Sequence, residues 1–179
     1  MTTDVMLDLE TLATTPDCVV LTIGAVKFDP FAETETYSRA LNIKIDVDEQ
    51  LAIGRAYSED TMRWWLSQPE DVREAALGEN DRMSLTEFVR QLNKFLVATD
   101  RVWAQGPVFD IVILENLYRQ LGVPCPWQYY NIRDSRTLLK ALGDNRKAGR
   151  EQAHDALADC IYQAEAVRAV VKQYNLTQL

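Results

Sequence analysis

Histidine is almost absent from this chain, with His154 the only one in 179 residues. Cysteine is scarce as well: Cys18, Cys125 and Cys160 are widely spaced and form no C-x-x-C pair, which excludes a disulfide framework and a thiolate zinc site. Long apolar runs are missing. Nothing approaches the roughly 18–20 continuous apolar residues of a membrane span, so no membrane partner is expected. The opening Met1-Thr2-Thr3-Asp4 carries neither the basic stretch nor the apolar core of a secretory signal, and the expectation is a soluble, cytoplasmic protein. Positive charge is in deficit, with 19 Lys and Arg against 27 Asp and Glu and a net charge of −8. That balance excludes a broad basic surface that binds nucleic acid by counterion release alone. Neither G-x-x-x-x-G-K-[ST] nor G-x-G-x-x-G occurs, which sets aside the common nucleotide-binding loops.

What the chain does contain fits one domain over residues 1–179, with 47% hydrophobic residues to build its core. Val5 to Leu9 and Val19 to Phe28 read as strands separated by the turn-rich Thr14-Thr15-Pro16-Asp17. Thr36 to Ile43 reads as a third, completing an antiparallel meander. Ser58 to Leu66 opens with a capping residue and acids and predicts a short helix before Pro69. Ser84-Leu85-Thr86-Glu87 is a capping box, with Leu85, Phe88, Val89, Leu92, Phe95 and Leu96 forming an amphipathic stripe behind it. Val102 to Ala104 predicts a strand, Ile111 to Leu121 a helix stopped by Gly122, and Tyr129 to Ile132 a fifth strand. Helices follow at Ser135 to Leu142 and Asp155 to Gln173. Strands first, then alternating β and α, predict an α/β sheet with an antiparallel edge and helices on both faces. The basic stretch Gly143 to Gln152, with Arg146, Lys147 and Arg150, reads as a surface loop.

The chemistry lies in the acids. Asp8 and Glu10 follow Val5-Met6-Leu7 directly, two apart on one face of the first strand. Unpaired charge buried there costs several kcal/mol unless a cation compensates it. Asp110 stands at a strand-to-helix joint, where it serves as an N-cap, a site residue, or both. Asp159 falls in the first turn of the last helix with His154 just ahead of it. Asp155, four before Asp159, competes as a ligand, though N-capping suits it better. Hard carboxylate oxygens suit two divalent cations, Mg²⁺ or Mn²⁺, more than zinc. Two such ions about 4 Å apart can hold both the attacking and the leaving oxygen of a phosphodiester. A neutral histidine can then take the proton of the attacking water.

Asp8-Leu9-Glu10-Thr11, then Phe109-Asp110, then His154 with Asp159 five residues on, resemble the three exonuclease motifs of the DEDDh superfamily. The resemblance covers essentially the whole chain. Thr61-Met62-Arg63-Trp64-Trp65, Pro124-Cys125-Pro126-Trp127 and Asn131-Ile132-Arg133-Asp134-Ser135-Arg136-Thr137 resemble its branch of phage DexA and mycobacterial- and prophage-type 3'-5' exoribonucleases. It implies a ribonuclease-H-like α/β/α fold with a mixed five-stranded sheet, and removal of nucleoside 5'-monophosphates from 3' ends of single-stranded RNA or DNA, RNA being favoured. It further implies Asp8 between two metals, Glu10 and Asp159 on the first, Asp110 serving the second, His154 as general base, and a homodimer. Gln105 departs from the Asn that relatives often carry.

The candidate substrate contacts are Thr11, Leu12, Trp65, Trp103, Phe109 and Arg133. Stacking on an aromatic ring contributes about 1–3 kcal/mol per base, but core packing suits each ring better when taken singly. Trp64 and Trp65 point about 100° apart on a helix, so at most one belongs to the core. The rival function is a non-catalytic nucleic-acid-binding or partner-binding domain on the same fold; against it, no member of the acid set is missing.

Overall fold

The computed structural model describes residues 3–33, 37–143 and 154–179. The predicted basic loop with Arg146, Lys147 and Arg150 therefore lies outside the described residues, as does Thr36. Six strands form one mixed sheet in the order β4-β3-β2-β1-β5-β6. β1 (Asp4–Thr11), β2 (Val20–Phe28) and β3 (Arg39–Ile45) make the antiparallel meander. β5 (Arg101–Ala104) runs parallel to β1, and β6 (Ile132–Asp134) parallel to β5.

Alternation along β1 sets the two faces. Val5, Leu7 and Leu9 join a core completed by Leu85, Phe88 and Leu92 of α4 (Leu85–Phe95) and by Ile113, Leu114 and Leu117 of α5 (Asp110–Gln120). Met6 faces the other way, with Val26, Phe28 and Trp103, against Cys160, Ala164, Val167 and Val171 of α7 (Ala156–Gln173). Helices thus cover both faces, and the architecture is ribonuclease-H-like. Full burial of each such aliphatic side chain contributes about 1.5–3 kcal/mol, which makes this sandwich the main source of stability. Between α7 and the sheet edge, α6 (Ser135–Leu142) packs Leu139 on Ala166 and Val170.

Three departures from the sequence reading have local causes. The sheet has a sixth strand, β4 (Arg82–Met83), which pairs with only two residues of β3. Arg82 fastens it by donating to Ile45 O at 2.8 Å and to Ala76 O at 2.8 Å, an anchor with no periodicity to announce it. Tyr129–Asn131 is a turn of 3₁₀ helix, and β6 begins at Ile132. The two tyrosines there, 81% and 61% exposed, lie on the surface, where their β propensity goes unused. β3 begins at Arg39 and reaches Ile45. Two further short helices, α1 (Val47–Ala52) and α3 (Glu70–Leu77), flank α2 (Glu59–Leu66).

Candidate active site: carboxylates at the end of the first strand

β1, β5 and β6 are parallel, so their carboxyl ends open on the same side of the sheet, where α/β folds gather ligands. Asp8 and Glu10 come from the first, Asp110 from the turn after the second, and α6 follows the third. On β1, Asp8 pairs with Gly24 and Glu10 with Thr22, and the register shifts between Glu10 and Thr11. Gly24 is decisive for what happens next. A Cβ placed there would stand 2.2 Å from the carbonyl carbon and oxygen of Ala156, so only glycine lets the first turn of α7 settle on the sheet beside Asp8.

That contact carries Asp159 to the acids of β1. Asp8, Glu10 and Asp159 offer carboxylate oxygens that all lie within 4.8 Å of one another. Oxygens sharing one Mg²⁺ at about 2.1 Å each lie at most about 4.2 Å apart, so small side-chain rotations suffice to close a shell. The three donors are hard oxygens without sulfur or imidazole, which fits a magnesium- or manganese-like ion. Asp155 stands outside this group: its Oδ1 accepts from Ala158 N at 2.8 Å and caps α7. Gln163, one turn beyond Asp159 and 3% exposed, donates Nε2 to Asp8 Oδ1 at 2.9 Å and fixes that carboxylate.

Asp110 is the first residue of α5 and not its cap. Its Oδ1 turns back across the joint and accepts from Leu9 N at 3.2 Å, tying the second acid motif to the first. Burial pushes Asp110 up to about 7, against the lowering pull of the Leu9 N–H, its own N–H and Arg136. Burial, then the charges of Asp110 and Asp155, push Glu10 up to about 8. Among the described residues neither Glu10 nor Asp110 is in an ion pair. A bound divalent cation is the natural source of the missing positive charge.

Two adjoining cavities meet at these acids. One, of about 610 Å³, is lined by Asp8, Asp110, Asp159, Gln105, Arg136 and Gln163 among others. The second, of about 410 Å³, is lined by Glu10, Thr11, Thr14, Thr61, Trp64 and Trp65 among others, and both share Leu9 and Phe109. A larger cavity of about 750 Å³ lies elsewhere, against the end of α7, and none of the expected site residues lines it.

The remaining candidates separate cleanly. Thr11 and Phe109 line the cavities. Trp65 borders the second, but its ring is 1% exposed and its Nε1 donates to Thr11 O at 2.9 Å, so it braces the wall and offers no face to a base. Trp103 is buried on the α7 side of the sheet, with Nε1 donating to Asp4 Oδ2 at 2.7 Å. Leu12 packs in the core under α2 and α3. Arg133 donates to the backbone carbonyls of Tyr130 and Ile132 at 2.9 and 3.0 Å, away from both cavities. Trp103 and Leu12 thus pack in the core away from both cavities, Trp65 lines the second with little exposed surface, and Arg133 lines neither.

His154 adopts a left-handed backbone, φ 69°, and sets its ring edge-on against Trp64 with centroids 4.7 Å apart. Trp64 in turn meets Trp65 at 4.8 Å. The adjacent tryptophans therefore link His154 to the end of β1, a connection that neither residue's hydrophobicity reveals. Gln163, which holds Asp8, escapes the sequence reading, although its four-residue spacing from Asp159 marks a shared helix face.

Known proteins resemble this chain in sequence and in fold. An exodeoxyribonuclease of enterobacteria phage T4 is 27% identical over 165 residues, covering 78% of this chain and 71% of the relative. Escherichia coli exonuclease I, solved as a zinc-bound complex with single-stranded DNA, superposes with a TM-score of 0.68 at 17% identity over 97% of this chain. The same enzyme with a dT13 oligonucleotide gives 0.64 at 17% identity over 96%. This chain spans about two fifths of the length of those exonuclease I chains, 41% in each case. The sequence model of the 3'-5' exoribonuclease Rv2179c-like domain matches residues 3–171. The chain belongs to that family.

Proposed function

We propose that residues 1–179 act as one domain that removes nucleoside 5'-monophosphates from the 3' ends of single-stranded nucleic acid, with RNA favoured. The observation that carries this reading is the convergence of Asp8, Glu10 and Asp159 within 4.8 Å beside Asp110. Asp8, Glu10 and Asp159 would hold one Mg²⁺ or Mn²⁺, and Asp110 with Asp8 a second. Such ions supply charge stabilisation for the phosphoryl oxygens and for the attacking and leaving oxygens.

The chain's own groups do the rest. Thr11 and Phe109, on the walls next to Glu10, hold the terminal nucleotide in the second cavity. His154, held by Trp64 on that side, accepts a proton from water as the water oxygen bonds to phosphorus. The P–O3' bond breaks, the 3' oxygen takes a proton from solvent, and the shortened strand keeps a 3' hydroxyl. Gln163 holds Asp8 in one orientation throughout.

RNA preference draws support from the family's description as an exoribonuclease domain, whereas the phage relative is named an exodeoxyribonuclease. Discrimination would rest on contacts to the 2' hydroxyl. A cytoplasmic homodimer is the proposed working form; no described helix is long and apolar enough to cross a membrane. The test is degradation of matched 5'-labelled RNA and DNA, single and double stranded, with Mg²⁺ or Mn²⁺. The expected result is a ladder shortening from the 3' end, faster on single-stranded RNA. No shortening of any oligomer with either metal overturns the reading.

A further inference from the structure

We propose that the face of α6 carrying Arg136 and Lys140 is a phosphate-binding rail for the strand on the 5' side of the bond being cut. The proposal rests on the exonuclease reading above and assigns a direction to the substrate within the site. A third cavity, of about 390 Å³, adjoins the acid-lined one and shares Gln105 and Arg136 with it; Leu139, Lys140 and Gly143 complete its lining. The three cavities therefore form a row with the carboxylates in the middle. One end is backed by buried Thr11 and Trp65, which suits a chain terminus. The other is bordered by the exposed Arg136 and Lys140, which suits a strand passing out to solvent.

Arg136 and Lys140 are four apart on one helix, so both project from the same face. Gly106, at φ 118°, lets the Arg136 guanidinium lie against the backbone of the acid-lined cavity: a Cβ there would come within 3.3 Å of Arg136 Nη1. The acid nearest in sequence does not neutralise them. Asp134 is engaged at the start of α6, accepting from Arg136 N at 3.0 Å and from Thr137 Oγ1 at 2.6 Å. Among the described residues neither Arg136 nor Lys140 is in an ion pair. A protein of net charge −8 needs such local cations to hold a polyanion beside four carboxylates. A guanidinium can take a phosphate through two parallel N–H bonds, and an ammonium one turn on can take the next as a point charge.

The test is fluorescence anisotropy of a single-stranded oligonucleotide of about a dozen nucleotides across a salt series, with steady-state KM on the same oligonucleotide. Each single-strand phosphate contact contributes about 0.7 to the slope of log affinity against log salt. Replacing both residues, Arg136→Gln with Lys140→Gln, is expected to lower the slope by about 1.4 and raise KM about tenfold. Lys140→Arg should keep the slope. Lys172→Gln, which removes one positive charge on the far cavity at the end of α7, should leave slope and KM as they are. A dinucleotide, with no phosphodiester upstream of the scissile one, should feel the double substitution much less than the longer strand. If the wild type shortens the oligonucleotide but the double variant keeps its slope and KM, the rail is refuted while the exonuclease reading stands. If Lys172→Gln lowers the slope as much as Lys140→Gln, general charge and not a rail is the cause. A wild type that shortens no oligonucleotide refutes the exonuclease reading, and an unchanged slope in the double variant still sinks the rail independently.

Discussion

Asp4 and Asp8 sit on the same face of the same strand, and the molecule treats them in opposite ways. Asp4 is fully buried, yet its carboxylate accepts from Arg101 Nε at 3.0 and 3.1 Å and from Trp103 Nε1 at 2.7 Å. Burial pushes its pKa up, and the Trp103 and Arg101 contacts pull it back. At the other end of β1 the chain gathers Asp8, Glu10 and Asp159; among the described residues Glu10 is in no ion pair, and burial pushes it up to about 8. One end of the strand is compensated by the fold itself, and the other is arranged for charge from outside.

Substitution should separate the two ends sharply. Asp8→Ala is expected to reduce turnover by at least about a thousandfold while changing the melting temperature little, since fewer crowded acids offset the loss of the Gln163 hydrogen bond. Asp4→Ala leaves the buried Trp103 Nε1 and the partly buried Arg101 guanidinium without their acceptor, a loss of about 3 kcal/mol, so its melting temperature should drop by about ten degrees. Activity of the folded Asp4→Ala fraction should remain. Kinetics and thermal melts on both variants check this, and a destabilised Asp8→Ala would erase the distinction.

Gly24→Ala probes how the outer end is assembled. The added methyl collides with the α7 backbone at Ala156, so Asp159 should withdraw from Asp8. Metal affinity and turnover are expected to fall together, by about a hundredfold in turnover, with a smaller loss of stability. Near-normal metal affinity in this variant would show that α7 does not depend on that approach.

The legible part of this site was the conflict between charge and hydrophobicity. Carboxylates directly behind Val5-Met6-Leu7, and again at a strand-to-helix joint, stand where the pattern calls for apolar residues. Spacing alone leaves Asp110 equally an N-cap, and it is the resemblance to the DEDDh motifs that groups these acids with Asp159. The aromatics were not legible in the same way. Trp65 and Trp103 have the composition of stacking residues, but which face of an element meets the core is settled by packing partners such as Thr11 and Asp4, distant in sequence. The two-residue β4 and the six-residue α1 are too short for any period to show. The cavity that Arg136 lines is formed with Gln105, far away along the chain, so its place is not legible from its neighbours in sequence.

The pH response sharpens the comparison further. Between the ordinary carboxylate range and about 8, folded Glu10 holds a proton that the unfolded chain has released. Stability of the metal-free protein should therefore fall as pH rises through that window, by several degrees in melting temperature. Added Mg²⁺ or Mn²⁺ competes with that proton, so its stabilising effect should grow with pH. Thermal melts with and without metal, repeated on Glu10→Gln, check both signs; the substitution should flatten the metal-free profile. The smallest effect expected is from Trp64→Leu. It removes the ring that places His154, so kcat should fall about tenfold with KM and metal affinity little changed, whereas a parallel rise in KM would assign Trp64 to substrate binding.

Titrating Mn²⁺ into the protein by calorimetry near pH 8, without nucleic acid, tests the central claim most directly. Wild type and Asp4→Asn are predicted to bind about two ions with proton release, and Glu10→Gln and Asp110→Asn to bind fewer or more weakly. Absence of Mn²⁺ binding in the wild type, or binding that survives intact in both Glu10→Gln and Asp110→Asn, would contradict it.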